Sequence, residues 1–147
     1  MRPAYFDTSV LVKNYVQEIG SARARELLQS HTLLSSAIAP VELLSALMRR
    51  KSRQELRADA IAGILARVRQ DRAYWQLVDV GAPVLSRAQE IIQTVQMRAL
   101  DAVHIASLLT FQAASGIRIP FITGDGRQRD AAKNLGLDVV GVGEKEG

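Results

Sequence analysis

The 147-residue sequence has no cysteine, so no disulfide braces it and no thiolate holds a zinc ion or an iron–sulfur cluster. That absence fits a reducing compartment. Aromatic residues are scarce, with three Phe, three Tyr and one Trp, which argues against a surface built to stack many bases. No apolar run approaches the roughly 20 residues of a membrane span. The opening "MRPAYFDTSV" has too short an apolar segment, in the wrong order, for a secretory signal. A soluble, cytoplasmic protein is expected. Lysine is rare as well, four against fifteen arginines.

What is present bounds the answer further. At 48% hydrophobic content the chain can bury a full core as a single domain over residues 1–147. The net charge is +4. Arginine carries most of it, and its planar fork matches phosphate, so an anionic partner such as nucleic acid or an acidic peptide is indicated. The densest run, "MRRKSRQELR", holds Arg49, Arg50, Lys51, Arg53 and Arg57 at the junction of two expected helices. It reads equally as a solvated helix end, where cations complement the dipole, and as an anion-binding patch.

Short apolar strands alternate with helical patterns along the chain. Strands are expected at "PAYFD", "TLLSSA", "YWQLVDV", "IPFIT" and "DVVGV". Between them lie helices: one or two over "SVLVKNYVQE" and "SARARELLQS", then "PVELLSALMRR", "RQELRADAIAGILARVRQD", "PVLSRAQEIIQTVQM", "DAVHIASLLTFQAA" and "GRQRDAAKNLG", with the tail "GEKEG" frayed. Strands joined by helical crossovers imply an α/β fold, a three-layer α/β/α arrangement on a mainly parallel central sheet. In such sheets the site lies beyond the carboxyl ends of the strands, where strand order reverses.

Four acids fall near that edge. Asp7 closes the first strand in "YFDTS", and Asp125 follows the fourth in "FITGDG". Glu42 and Asp101 each sit in the first turn of a helix. Asp101 shares its face with Ile105 and Leu108, a poor environment for an unpartnered charge. Taken singly, each has an ordinary explanation: a helix cap for Asp7, a turn for Asp125, and for Glu42 a surface position, with Ser45, Ala46 and Arg49 on its side. Together they make another demand. Carboxylates gathered in one crevice repel, and a hard divalent cation, Mg²⁺ or Mn²⁺, relieves that repulsion and brings phosphate chemistry with it.

The blocks "YFDTSVLVKNYVQEIGS", "SSAIAPVELLSALMRR", "MRALDAVHIASLL" and "FITGDGRQRDAAKNLGL" resemble, in order and separation, the four signature blocks of the PIN domain, in particular of the VapC-type toxins of prokaryotic toxin–antitoxin pairs. The resemblance implies a metal-dependent endoribonuclease with Asp7, Glu42, Asp101 and Asp125 as its acidic, metal-binding quartet. Ser9, with Thr8 and Thr123, would support that cluster through hydroxyl hydrogen bonds. It further implies a homodimer and a small antitoxin protein that inserts a segment into the active-site groove, with RNA as substrate.

Two other readings compete. A non-catalytic RNA-binding module of the same fold is disfavoured by four acids that would repel its ligand. A phosphoryl-handling α/β protein is disfavoured because "DTS" lacks a second aspartate two residues on. Asp130 competes with Asp125 as fourth acid and reads as a helix-face residue. His104, one turn after Asp101, is expected to pack or hydrogen-bond within its helix surroundings rather than bind metal. His31 has no evident partner. Ile91, Ile92 and Val95 read as core or dimer surface.

Overall fold

In the computed structural model, which describes residues 1–143, five parallel strands form the central sheet: β1 (Pro3–Phe6), β2 (Thr32–Ser36), β3 (Gln76–Val78), β4 (Phe121–Thr123) and β5 (Val139–Gly141). Seven α-helices cover them: α1 (Thr8–Tyr15), α2 (Ser21–Ser30), α3 (Ala39–Ser52), α4 (Ala58–Asp71), α5 (Ala82–Thr94), α6 (Ala99–Ser115) and α7 (Gly126–Asn134). The expected α/β/α layering is the one observed. From residue 144 onward, the expected frayed tail lies outside the described residues.

Strand alternation sorts the core into two layers. Ala4, Phe6, Leu33 and Ile122 pack with α1 and α2 residues such as Val10, Leu11, Ala24 and Leu27. Tyr5, Leu34 and Phe121 face the other way, against Val84, Ala88, Ile91, Ile105 and Leu108 of α5 and α6. Each fully buried leucine or isoleucine contributes about 1.5–3 kcal/mol relative to exposure. A third cluster joins α1 to α3 and α4 through Val12, Tyr15, Leu43, Leu47, Ile64 and Val68. It fixes the pitch of α3, and hence the place of Glu42.

The strand order is β3-β2-β1-β4-β5. From β1 the chain builds first one flank, through β2 and β3, then the other, through β4 and β5. Strand order therefore reverses between β1 and β4, where Tyr5 pairs with Phe121 and Phe6 with Ile122. The crevice beyond their carboxyl ends is the ligand position of such sheets.

The expected elements all form, and the differences are at their edges. The third strand is only Gln76–Val78, because Arg72–Tyr74 closes α4 with a 3₁₀ turn. Helix α4 begins at Ala58 rather than Arg53, since Gln54 takes a left-handed turn (φ 60°) that separates it from α3. Helix α5 stops at Thr94, leaving Val95 and Met97 extended against the core. Helix α6 ends on Gly116 at φ 70°, a left-handed conformation that suits glycine. Among the described residues, no helix is long and apolar enough to cross a membrane.

Candidate active site

Asp7 follows β1 directly. Its backbone N–H donates to the Ile122 carbonyl, so the ladder with β4 fixes where the residue sits. It stands at the N-terminus of α1 but its side chain does not cap the helix. Instead, Oδ2 accepts hydrogen bonds from Ser9 Oγ at 3.1 Å and Thr123 Oγ1 at 2.8 Å. Each hydroxyl is held in turn by a backbone donor: Gly124 N–H to Ser9 Oγ at 2.9 Å and Asp125 N–H to Thr123 Oγ1 at 3.1 Å. Two relays from the β4 turn thus end on one carboxylate oxygen, and Asp7 is only 6% exposed. The other oxygen, Oδ1, lies 3.6 Å from His104 Nε2.

Glu42 reaches the same crevice from the first turn of α3, a helix opened by Pro40, whose fixed φ suits a helix start. Its Oε1 accepts from Thr8 Oγ1 at 2.8 Å and contacts His104 Nε2 at 2.5 Å. Burial pushes the Glu42 pKa up. The hydrogen bond and charge of His104, the Thr8 hydroxyl and the Arg49 charge outweigh it, and the net direction is down.

Asp101 lies in the first turn of α6, with Arg98 Nε 3.2 Å from its Oδ2. Its pKa is raised, first by burial and then by the charges of Asp7 and Asp125, with Arg98 opposing. The Asp101 carbonyl accepts from Gln128 Nε2 at 2.8 Å, which ties α6 to α7. Asp125 caps α7, Oδ1 accepting from the Arg127 and Gln128 N–H groups. Its Oδ2 faces Arg98 Nη2 at 3.7 Å. The turn and cap role expected of Asp125 and its place beside Asp101 thus coexist, one oxygen serving each.

Two cationic or proton-donating side chains hold the four acids together: His104 between Asp7 and Glu42, Arg98 between Asp101 and Asp125. Among the described residues, no three Asp, Glu or His side chains stand close enough to enclose one ion as arranged. The donor set itself suits a hard cation, being four carboxylates without sulfur. Asp7 Oδ1 and Asp125 Oδ2 each face a nitrogen beyond hydrogen-bond distance, His104 Nε2 at 3.6 Å and Arg98 Nη2 at 3.7 Å.

A model of the PIN domain matches residues 4–134. The chain belongs to the PIN-domain family. It is 33% identical over 141 residues to Ribonuclease VapC46 of Mycobacterium tuberculosis, an alignment spanning 95% of this chain and 98% of that protein, which places it with the VapC-type members. A solved structure, a toxin–antitoxin complex from Klebsiella pneumoniae, superposes with a TM-score of 0.64 over 97% of this chain and 99% of that one. At 16% identity that likeness speaks for the fold.

In this PIN domain the four acids named from the sequence are linked in steps, Asp7 to Glu42 through His104, Asp101 to Asp125 through Arg98 and Asp7 to Asp125 through Thr123, and Ser9 and Thr8 donate to Asp7 and Glu42. Asp130 lies apart, exposed and paired with Arg129 at 3.1 Å. The basic run divides. Arg50 is engaged by Glu18 and Glu55, Arg49 lies near enough to bear on Glu42, and Lys51, Arg53 and Arg57 are exposed, Arg57 facing Asp59. A cavity of about 290 Å³ opens beside Asp101, lined by Met97, Arg98, Arg127 and Gln128. The larger cavity, about 630 Å³ near Tyr15, Arg67 and Trp75, contains none of the quartet. It lies among residues of α1, α2 and α4, where Tyr15 donates to Asp71 at 2.5 Å.

His31 does find partners, its Nδ1 meeting the Leu27 carbonyl and Ser30 Oγ, each at 3.0 Å. Ile91 is core, Val95 packs against it, and Ile92 is exposed. Tyr5 and Arg98 were not read from the sequence as part of the site, whereas His104, expected to pack or hydrogen-bond, does bond there, to Tyr5, Thr8 and Glu42. For Arg98 a signal existed, since the position three before Asp101 shares its helical face.

Proposed function

We propose that this PIN domain is a metal-dependent endoribonuclease, the toxin of a toxin–antitoxin pair. The observation that carries the reading is the meeting, at the β1/β4 reversal, of four carboxylates drawn from four separate segments. Ser9 holds the Asp7 carboxylate, donating to it while accepting from Gly124 N–H, and a water is the attacking group in this reading.

Asp7, Glu42, Asp101 and Asp125 would hold Mg²⁺ or Mn²⁺. When bound, the ion supplies the positive charge that makes a water more acidic and offsets charge on the leaving oxygen. The chain's own contribution is placement. Ser9 and Thr123 fix the Asp7 carboxylate, Thr8 holds Glu42, and the α7 cap fixes Asp125. The exposed guanidinium groups of Arg98 and Arg127 flank the cavity beside Asp101 and suit the phosphates of an RNA strand.

The VapC46 likeness supports RNA as the substrate, and the Klebsiella structure's description supports a small protein antitoxin as partner. We further read the chain as one domain, acting in the cytoplasm as a homodimer. The test is RNA cleavage by purified protein with Mg²⁺ or Mn²⁺ and with chelator. Asp101→Asn should reduce metal-dependent cleavage to background with its circular dichroism unchanged. Full cleavage by that variant would refute the assignment.

A further inference from the structure

We propose that His104 is a positioning residue that holds the Glu42 carboxylate inside the crevice, with Tyr5 locking the imidazole in the orientation this requires. The inference rests on the reading of Glu42 as a metal-binding acid.

Glu42 would not stay in the crevice unaided. It projects from a helix whose neighbouring positions, Val41, Leu44 and Ser45, are exposed. The Glu42 side chain is itself 23% exposed. Two side chains oppose that escape. Thr8 supplies one neutral hydrogen bond from the adjoining turn of α1. The other is His104, 62 residues distant in sequence and on the opposite helical layer.

The hydrogen-bond directions are consistent along the whole chain of groups. Thr8 Oγ1 gives its proton to Glu42, so its 3.1 Å contact with His104 Nε2 makes the threonine oxygen an acceptor there. The proton on Nε2 is therefore shared between Thr8 Oγ1 and Glu42 Oε1. Nδ1 meets the Tyr5 hydroxyl at 2.8 Å, accepting from it in the neutral imidazole and donating to it in the imidazolium. The rings meet edge to face, centroids 5.8 Å apart at 79°. Both side chains are buried, Tyr5 at 0% and His104 at 1% exposure. A rigid line thus runs from the sheet (Tyr5), through α6 (His104), to a carboxylate on α3. Such outer partners typically carry about 10–100-fold of metal affinity.

The deciding comparison is between two amides at position 104. In His104→Gln the side-chain nitrogen reaches the Nε2 position and can still donate to Glu42. In His104→Asn it reaches only the Nδ1 position, keeping a partner for Tyr5 and losing Glu42. Mn²⁺ titration of the metal-free proteins by calorimetry, at constant pH, reads the effect without any RNA. His104→Gln should bind within about 3-fold of wild type and His104→Asn at least about 10-fold more weakly. In a Glu42→Gln background the two should bind alike. Equal affinity of the Gln and Asn variants on the Glu42 background would overturn the inference, because packing alone does not distinguish the ends of the amide. So would a Gln/Asn difference that survives Glu42→Gln. A wild-type protein that binds no Mn²⁺ would remove the metal reading itself, and this inference with it.

Discussion

Thr123 joins two acids through one oxygen, accepting from Asp125 N–H and donating to Asp7 Oδ2, and it is fully buried. Thr123→Val keeps the shape and removes both bonds. Leaving a buried N–H unpaired costs about 1–3 kcal/mol, so a measurable fall in thermal midpoint is expected, together with loss of cleavage as Asp7 loses one of its two anchors. Arg98 gives a different prediction. Its guanidinium, mostly exposed, partly offsets the repulsion between Asp101 and Asp125. Arg98→Met should lower the melting temperature in chelator and enlarge the rise on adding Mn²⁺, as read by differential scanning fluorimetry. An unchanged Mn²⁺ response would show that the arginine does not substitute for a cation. At this scale Asp7 and Asp125 were legible because strand ends mark the crevice in any parallel sheet. Glu42 was legible only through the resemblance. Its own helix gives it a mild, surface-like face, and the group that draws it inward belongs to α6. No pattern local to α3 contains that information.

Helix α3 illustrates how an element places a side chain that its own sequence does not explain. Leu47, fully buried, packs α3 on α1 and α4 with Val12, Ile64 and Val68. Leu47→Ala should cost about 2–5 kcal/mol in chemical denaturation. It should also impair cleavage in the surviving folded fraction, because α3 carries Glu42. Helix types were read correctly from apolar periodicity, whereas helix ends were not. The left-handed turn at Gln54 and the 3₁₀ turn at Arg72–Tyr74 lie in stretches rich in helix formers, where neither Gly nor Pro announces a stop. The β4–α7 turn is tighter than its glycine suggests. A Cβ at Gly124 would sit 2.5 Å from Lys13 Cε, and Lys13 is held by Glu18 and the Ile19 carbonyl. That geometry connects the crevice to the loop after α1, a contact no motif predicts.

For the molecule as a whole, the net charge of +4, with fifteen of the nineteen basic residues arginine, favours an anionic partner. The logarithm of the affinity for single-stranded RNA should fall linearly with log salt, with a slope of about −0.7 per phosphate contact. Replacing exposed Arg53 and Arg127 by Gln should flatten that slope in fluorescence anisotropy titrations, in proportion to the contacts removed. An unchanged slope would remove those residues from the binding face. The layered fold was legible because apolar strands and amphipathic helices alternate so regularly. Strand order was not, since it depends on which β-strand finds which neighbour across intervening helices.

The central position of β1 carries a consequence for the cell that makes this chain. Its first acid is made 116 residues before Thr123, which lies on the strand that orients it, β4. Until then Asp7 has neither Thr123 nor Asp125 beside it. A chain halted before β4 therefore leaves its first acid without the hydroxyl that orients it, and the crevice takes shape only after β4 has paired with β1.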